Sequence, residues 1–209
     1  MNVNQPFFSI IIATYNRADL LQRALHSLVA QTEEDWEALV IDDGSTDDTY
    51  MKILPFLSKY NKIKYQKTAN RGEALSKNEG LFASKGKFIS FLDSDDEYRP
   101  HHLQSRKELL LKNPNVNFLY GGLEIIGNHY VPDRFDQSRK IHLNDCKIGG
   151  TFFIERNILL SLNGLHNIPL GADADLFDRA KAAQIELMHT DIPTYIYHRE
   201  LTDSITNNV

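Results

Sequence analysis

The pattern of apolar and polar positions divides this chain into two unlike halves. In the first half, apolar runs at residues 7–13, 38–41 and 88–92, with a shorter one at 63–65, predict strands. Their apolar residues are contiguous rather than alternating, which is the pattern of strands covered on both faces in a parallel sheet. The segments between them have helical spacing. Leu21, Ala24, Leu25 and Leu28 fall on one face of a first helix, and Asn16 followed by Asp19 predicts a cap with a carboxylate in the first turn. A second helix, at 47–60, contains Pro55, which should kink or split it. A third spans about 72–84, and Gly86 marks the turn into the next strand. The order β-α-β-α-β-α-β through Leu92, with right-handed crossovers, predicts an α/β fold with a doubly wound, mostly parallel sheet.

The second half reads differently. A helix follows Pro100 and runs to about Asn113, a strand is predicted at 118–126, and 127–145 is polar with weak periodicity. Further strands are expected at 151–154 and 194–198, and a helix at 174–183. No internal repeat, low-complexity tract or linker interrupts the chain. Residues 1–209 are therefore expected to form one domain, the second half being a smaller subdomain packed on the first.

Composition narrows the function. A chain of 209 residues with 42% apolar content buries one substantial core. A formal net charge of −5 gives no general attraction to nucleic acid or anionic lipid, so an anionic partner must be recruited by a local cation. Cys146 is the single cysteine, so no internal disulfide forms, and a reducing compartment is expected. The apolar run near the N-terminus ends well short of the ~20 residues that cross a bilayer. A soluble, cytoplasmic protein is expected, with peripheral membrane association left open.

In an open α/β sheet, ligands bind beyond the carboxyl ends of the strands. The run ALVIDDGSTDD places Asp42 and Asp43 there, and FISFLDSDDEY places Asp93, Asp95 and Asp96 at the same edge. Asp47 and Asp48 read as turn and helix-cap residues. Crowded carboxylates repel one another and raise one another's pKa unless hydrogen bonds or a cation hold them. A hard divalent ion, Mn2+ or Mg2+, resolves this at Asp93 and Asp95. Held by only one or two carboxylates, it keeps positions open for phosphate oxygens.

The successive blocks SIIIATYNR, VIDDGSTDDT, NRGEALSKNEG through KGKFISFLDSDDEYRP, and GADADLFDRA span nearly the whole chain. In sequence and in order they resemble the family 2 glycosyltransferases of GT-A fold. The resemblance implies an inverting, metal-dependent transferase of the hexosyl or N-acetylhexosaminyl type. It would move a sugar from a nucleotide-sugar donor, a UDP-sugar, to a hydroxyl of a carbohydrate or glycoconjugate acceptor, in polysaccharide or glycoconjugate synthesis. Carried over residue by residue, Ala13, Thr14 and Tyr15 line the nucleotide pocket, Asp43 hydrogen-bonds the base, and Asp93 lies near the ribose and metal. Asp95 binds the metal. Lys77 lies near the donor phosphates, its alternative being an ordinary solvated helix lysine. Asp173 is the catalytic base, although Ala172 stands where the family frequently has Glu. His198, in YIYHRELTDS, reaches the metal or diphosphate, its alternative being a structural histidine. Residues of about 1–98 then hold the donor and about 99–209 the acceptor, with Tyr120, Tyr130 and the Gly149-Gly150-Thr151 turn available to it. Asp175, two positions from the base, is expected as a helix N-cap or first-turn carboxylate.

Three rival readings come from other classes. A nucleotide-binding module without catalysis gains from Ala172 but must ignore the full set Asp43, Asp93, Asp95 and Asp173. A phosphate-accepting signalling domain would be shorter. A nucleotidyltransferase would open on a glycine-rich phosphate loop, and SIIIATYNR has no glycine.

Overall fold

The computed structural model describes residues 5–200. Its first half alternates β1 (Phe8–Thr14), α1 (Ala18–Val29), β2 (Trp36–Asp42), α2 (Thr49–Lys59), β3 (Ile63–Lys67), α3 (Glu73–Ala83) and β4 (Phe88–Phe91). There follow β5 (Glu97–Tyr98), α4 (His102–Lys112), β6 (Phe118–Tyr120), β7 (Leu123–Gly127), β8 (Tyr130–Pro132) and β9 (Lys140–His142). The chain then runs through β10 (Phe153–Glu155), α5 (Arg156–Ser161), α6 (Ala172–Ala182), β11 (Leu187–His189) and β12 (Tyr195–Arg199).

A seven-stranded sheet in the order β11-β6-β10-β4-β1-β2-β3 forms the centre. β1 pairs in parallel with both β2 and β4, β2 pairs in parallel with β3, and β10 runs antiparallel between β4 and β6. The contiguous apolar runs are explained by helices on both faces. Phe8, Ile10 and Ile12 of β1 pack with Leu21 and Leu25 of α1 and Ile53 of α2. Ile11, pointing the other way, packs with Leu81 of α3 and Leu176 of α6. Such two-sided burial leaves no polar face, so the alternation of a half-exposed strand never appears.

The second half does not stand apart, since β6, β10 and β11 extend the same central sheet. β12 forms a second sheet with β5 and β7, and β8 and β9 form a hairpin within the polar stretch 127–145. The strand predicted at 118–126 is two strands in two sheets. Gly121 and Gly122 break it with φ of 96° and 81°, a region that favours glycine. A Cβ on Gly122 would meet the Ile192 carbonyl oxygen at 2.1 Å, so the close approach also demands glycine.

The cap expected at Asn16 is not found, and Pro55 does not split its helix. Asn16 does not cap α1: it takes a φ of 51°, and its side-chain oxygen accepts from the Thr46 N–H at 2.7 Å. The first turn of α1 is served instead by Asp47, whose carboxylate accepts from the Ala18 N–H at 3.3 Å. α2 runs through Pro55 without a break. Its missing donor falls opposite the carbonyl of Met51, itself an exposed residue. Among the described residues, no helix is long and apolar enough to cross a membrane.

Candidate active site

β1, β2 and β4 end side by side because their ladder bonds continue past the strands. The Asp43 N–H donates to the Thr14 carbonyl at 2.8 Å, and the Leu92 N–H to the Ile11 carbonyl at 3.0 Å. Beyond these ends lies a cleft of about 760 Å³, within the range of small-molecule sites. Ala13, Thr14, Tyr15, Asp43, Lys77, Asp93, Asp95, Asp173 and His198 all line it.

The two acidic strand ends are built differently. At the end of β2, Asp42 accepts from the Ser45 N–H at 2.7 Å and the Tyr65 hydroxyl at 2.5 Å. Asp43 accepts from the Arg71 and Gly72 N–H groups at 2.9 and 2.8 Å and from the Ser76 hydroxyl at 2.9 Å. It thereby ties the loop before α3 to the sheet while still bordering the cleft. Asp47 keeps its turn role, accepting from the Thr49 N–H at 3.1 Å and the Thr49 hydroxyl at 2.5 Å.

At the end of β4, charged partners hold two of the three carboxylates, Asp93 and Asp95. Lys77 projects from α3 and contacts Asp93 at 2.7 Å and Glu73 at 2.5 Å. It is 3% exposed, so it is not a solvated helix lysine. Burial alone would favour the neutral amine, but Asp93, Glu73 and Asp173 hold it well above the usual lysine range. Asp95 contacts Arg17 at 2.8 Å. Burial raises its carboxyl above the usual range, Arg17 opposes the shift, and Asp93 adds to it. Asp96 is fully buried and accepts from the Tyr195 hydroxyl at 2.7 Å and the His198 N–H at 2.8 Å. Burial and the neighbouring Asp93 and Asp95 charges push it well above the carboxylate range.

Asp173 lies in the first turn of α6, which starts two residues earlier than the spacing predicts, behind Gly171 with φ 80°. Its Oδ2 accepts from the Gly149 N–H at 2.8 Å. The carboxylate is enclosed by protein yet keeps part of its surface open to the cleft. Burial pushes its pKa up to about 6, Lys77 opposes this, and Asp93 and Glu73 reinforce it. Asp175 is a first-turn carboxylate rather than the N-cap: it pairs with Arg179 at 2.8 Å and His166 at 3.0 Å.

His198 reaches the cleft wall with its Nε2 at 2.8 Å from Glu97, while Nδ1 lies 3.6 Å from Glu200 and makes no hydrogen bond. The Thr14 hydroxyl is likewise buried without a hydrogen-bond partner among the described residues. Tyr120, Tyr130 and the Gly149–Thr151 turn are absent from the cleft lining. The turn instead packs beneath the site. A Cβ on Gly149 would meet the Asp173 carboxyl carbon at 2.7 Å, and one on Gly150 the Tyr195 ring at 2.1 Å.

Sequence reasoning missed Arg17, Glu73 and the lining residues 165 and 167–171. Arg17 ends the SIIIATYNR run, and Glu73 stands four residues before Lys77, so both carried a local signal. The loop before α6 carried none.

Metal chemistry depends on the donor set. Among the described residues, no group of three or more His, Cys, Asp or Glu side chains is arranged to hold a metal. The hard oxygens of Asp93 and Asp95 fit a cation anchored by one or two carboxylates and completed by phosphate and water.

Glycosyl transferase family 2 matches residues 9–164. The chain belongs to that family. Among its relatives is the Escherichia coli UDP-Glc:alpha-D-GlcNAc-diphosphoundecaprenol beta-1,3-glucosyltransferase WfgD, 36% identical over 156 residues that cover 72% of this chain and 61% of WfgD. The minor teichoic acid biosynthesis protein GgaA of Bacillus subtilis is 33% identical over 189 residues, 82% of this chain and 42% of GgaA. The family 2 chain thus spans less than two thirds of these relatives. In fold it resembles S. aureus TarS solved with UDP-GlcNAc, with a TM-score of 0.76 at 20% identity over 95% of this chain and 60% of TarS. The mannosyltransferase PcManGT of Pyrobaculum calidifontis, solved with GDP-Man and Mn2+, gives 0.71 at 17% identity over 93% of this chain and 57% of PcManGT. The fold is of the GT-A type.

Proposed function

We propose that this family 2 chain transfers a sugar, with inversion, from a UDP-sugar to an acceptor hydroxyl during cell-wall or other polysaccharide or glycoconjugate synthesis. One observation carries the reading. Asp173, its pKa raised to about 6, faces the same cleft as the Asp93 and Asp95 pair. A base near neutrality and an acidic pair able to take a cation are the two parts that a single displacement needs.

The residues divide the work as follows. Ala13, Thr14 and Tyr15 wall the nucleotide pocket, and Asp43 takes the base with an oxygen lone pair left over from its three hydrogen bonds. Asp95, with Asp93, would hold a Mn2+ or Mg2+ ion, and His198 lines the same cleft. That ion would supply positive charge to the departing diphosphate. Asp173 receives the proton of the acceptor hydroxyl as its oxygen attacks the anomeric carbon, and the bond from that carbon to the phosphate oxygen breaks to release UDP. The Gly149 N–H keeps the carboxylate oriented throughout. Lys77 is buried against Asp93 and Glu73, so it steadies these charges from behind and does not reach for phosphate. The acceptor enters past residues 167–171, which line the cleft beside Asp173.

A thermal-shift screen of nucleoside diphosphates and their sugar conjugates, with and without manganese, tests the reading. UDP and a UDP-sugar should raise the melting temperature most, and only with the cation. Stabilisation by no nucleotide at all would defeat it.

A further inference from the structure

Lys77 and Arg17 both line the cleft, and they are held differently. Lys77 is locked: its side chain is 4% exposed and lies between Glu73 and Asp93. Arg17 is accessible, with its side chain 20% exposed and its partner Asp95 15% exposed. A part-exposed ion pair of this kind is weak enough to exchange with an incoming ligand.

The surroundings keep both ends of the pair in place if it opens. The backbone under Arg17 is anchored by neighbours on the β2 loop: the Asn16 N–H donates to the Ser45 hydroxyl at 2.9 Å, and the Ala18 N–H donates to Asp47. Asp95 is held independently through its main chain, because Arg23 donates to its carbonyl oxygen. Opening the Arg17 pair therefore releases one carboxylate without releasing its loop. That carboxylate feels the charges of Asp93 and Glu73, which have only the one ammonium of Lys77 between them.

We propose that Arg17 is the resident counter-ion of Asp95, surrendering this carboxylate to a divalent cation and turning its guanidinium to the donor diphosphate. The proposal rests on the metal-assisted nucleotide site above. Arg17 then acts twice. In the empty cleft it compensates Asp95 and competes with the bare metal. In the loaded cleft its planar fork meets phosphate oxygens, a geometry that guanidinium matches better than ammonium does. The consequence is ordered loading: the bare ion binds weakly, and ion and diphosphate bind well together.

The full chain at pH 7.5 is titrated with Mn2+ alone, free Mn2+ being read by electron paramagnetic resonance, and then with UDP at saturating Mn2+ by calorimetry. Arg17→Gln should bind Mn2+ alone roughly three- to tenfold more tightly than the wild type, and UDP several-fold more weakly. Arg17→Lys keeps the charge and should track the wild type for Mn2+. Unchanged or weaker Mn2+ binding by a folded Arg17→Gln, beside a wild type that binds UDP only with Mn2+, overturns the role of Arg17 and leaves the nucleotide site standing. A wild type that binds neither Mn2+ nor UDP overturns both. Should Arg17→Gln fail to fold, the guanidinium Nε–H signal of Arg17 in 15N-labelled wild type gives the answer. It should shift when Mg2+ and UDP are added together, and a signal that does not move refutes the exchange.

Discussion

At the end of β2, Asp42 and Asp43 satisfy their oxygens with N–H and hydroxyl donors, and the result is a turn. At the end of β4, Asp93, Asp95 and Asp96 crowd one another, and Lys77 and Arg17 hold two of them by charge. The two ends lie on neighbouring sides of one cleft and use the same residue type. Their difference lies in what surrounds them. Neutral donors fix a carboxylate permanently, whereas cations at a part-exposed site can be traded for others. A strand end of the first kind holds a loop at the rim of the cleft, and one of the second kind leaves paired charges facing it.

The largest effect that separates them is expected at Lys77. Lys77→Met removes the buried partner shared by Asp93 and Glu73, and should cost about 3–5 kcal/mol in urea unfolding. It should also push the pKa of Asp173 further up, moving the acid limb of the rate profile to higher pH. Asp173→Asn comes next. Transfer should fall on the order of 10²-fold or more while UDP binding survives. In the wild type, transfer should rise as pH climbs through about 6, because the base works only when deprotonated. The stability sign is the reverse. A carboxyl whose folded pKa lies above its unfolded value binds its proton more tightly in the folded state. Folded stability therefore falls as pH rises from the ordinary Asp range through about 6, and Asp173→Asn should escape that loss. Thermal melts of both proteins between pH 4 and pH 8 read it directly.

The β2 end should respond in a smaller and different way. Asp43→Ala strands the Arg71 and Gly72 N–H groups and the Ser76 hydroxyl, costing about 1–3 kcal/mol whether or not a cation is present. Asp48→Ala, at an exposed residue that makes no capping bond, should stay within about 0.5 kcal/mol. A chelator-sensitive loss of stability at Asp43 would erase the distinction between the two ends.

The parallel half of the fold was legible because its strands are buried on both faces, which leaves a contiguous apolar signature in Phe8–Thr14 and Phe88–Phe91. The second half was harder to read. β5 and β11 are two and three residues long, too short for any period to show, and α5 is only six. Gly121 and Gly122 did mark the break between β6 and β7, but the apolar residues on either side outweighed them in a local reading. The cap of α1 was misplaced because its acceptor, Asp47, comes from another loop. Local sequence cannot reveal a partner brought in by topology. The residues that line the cleft were legible through their motifs, whereas their partners were not. Nothing in the run around Gly149 announces that its N–H orients Asp173, and the burial of Lys77 emerges only once Phe91 and Asp93 pack against α3.

The central claim is that the β4 end is a charge site completed by a cation and a diphosphate. Calorimetric titration of the wild type with UDP, with Mn2+ present and then with Mn2+ removed by chelator, tests it most directly. Binding should weaken sharply on chelation, and the residual binding of an Asp95→Ala variant should no longer depend on the cation. Equal UDP affinity in the two conditions for the wild type would contradict it.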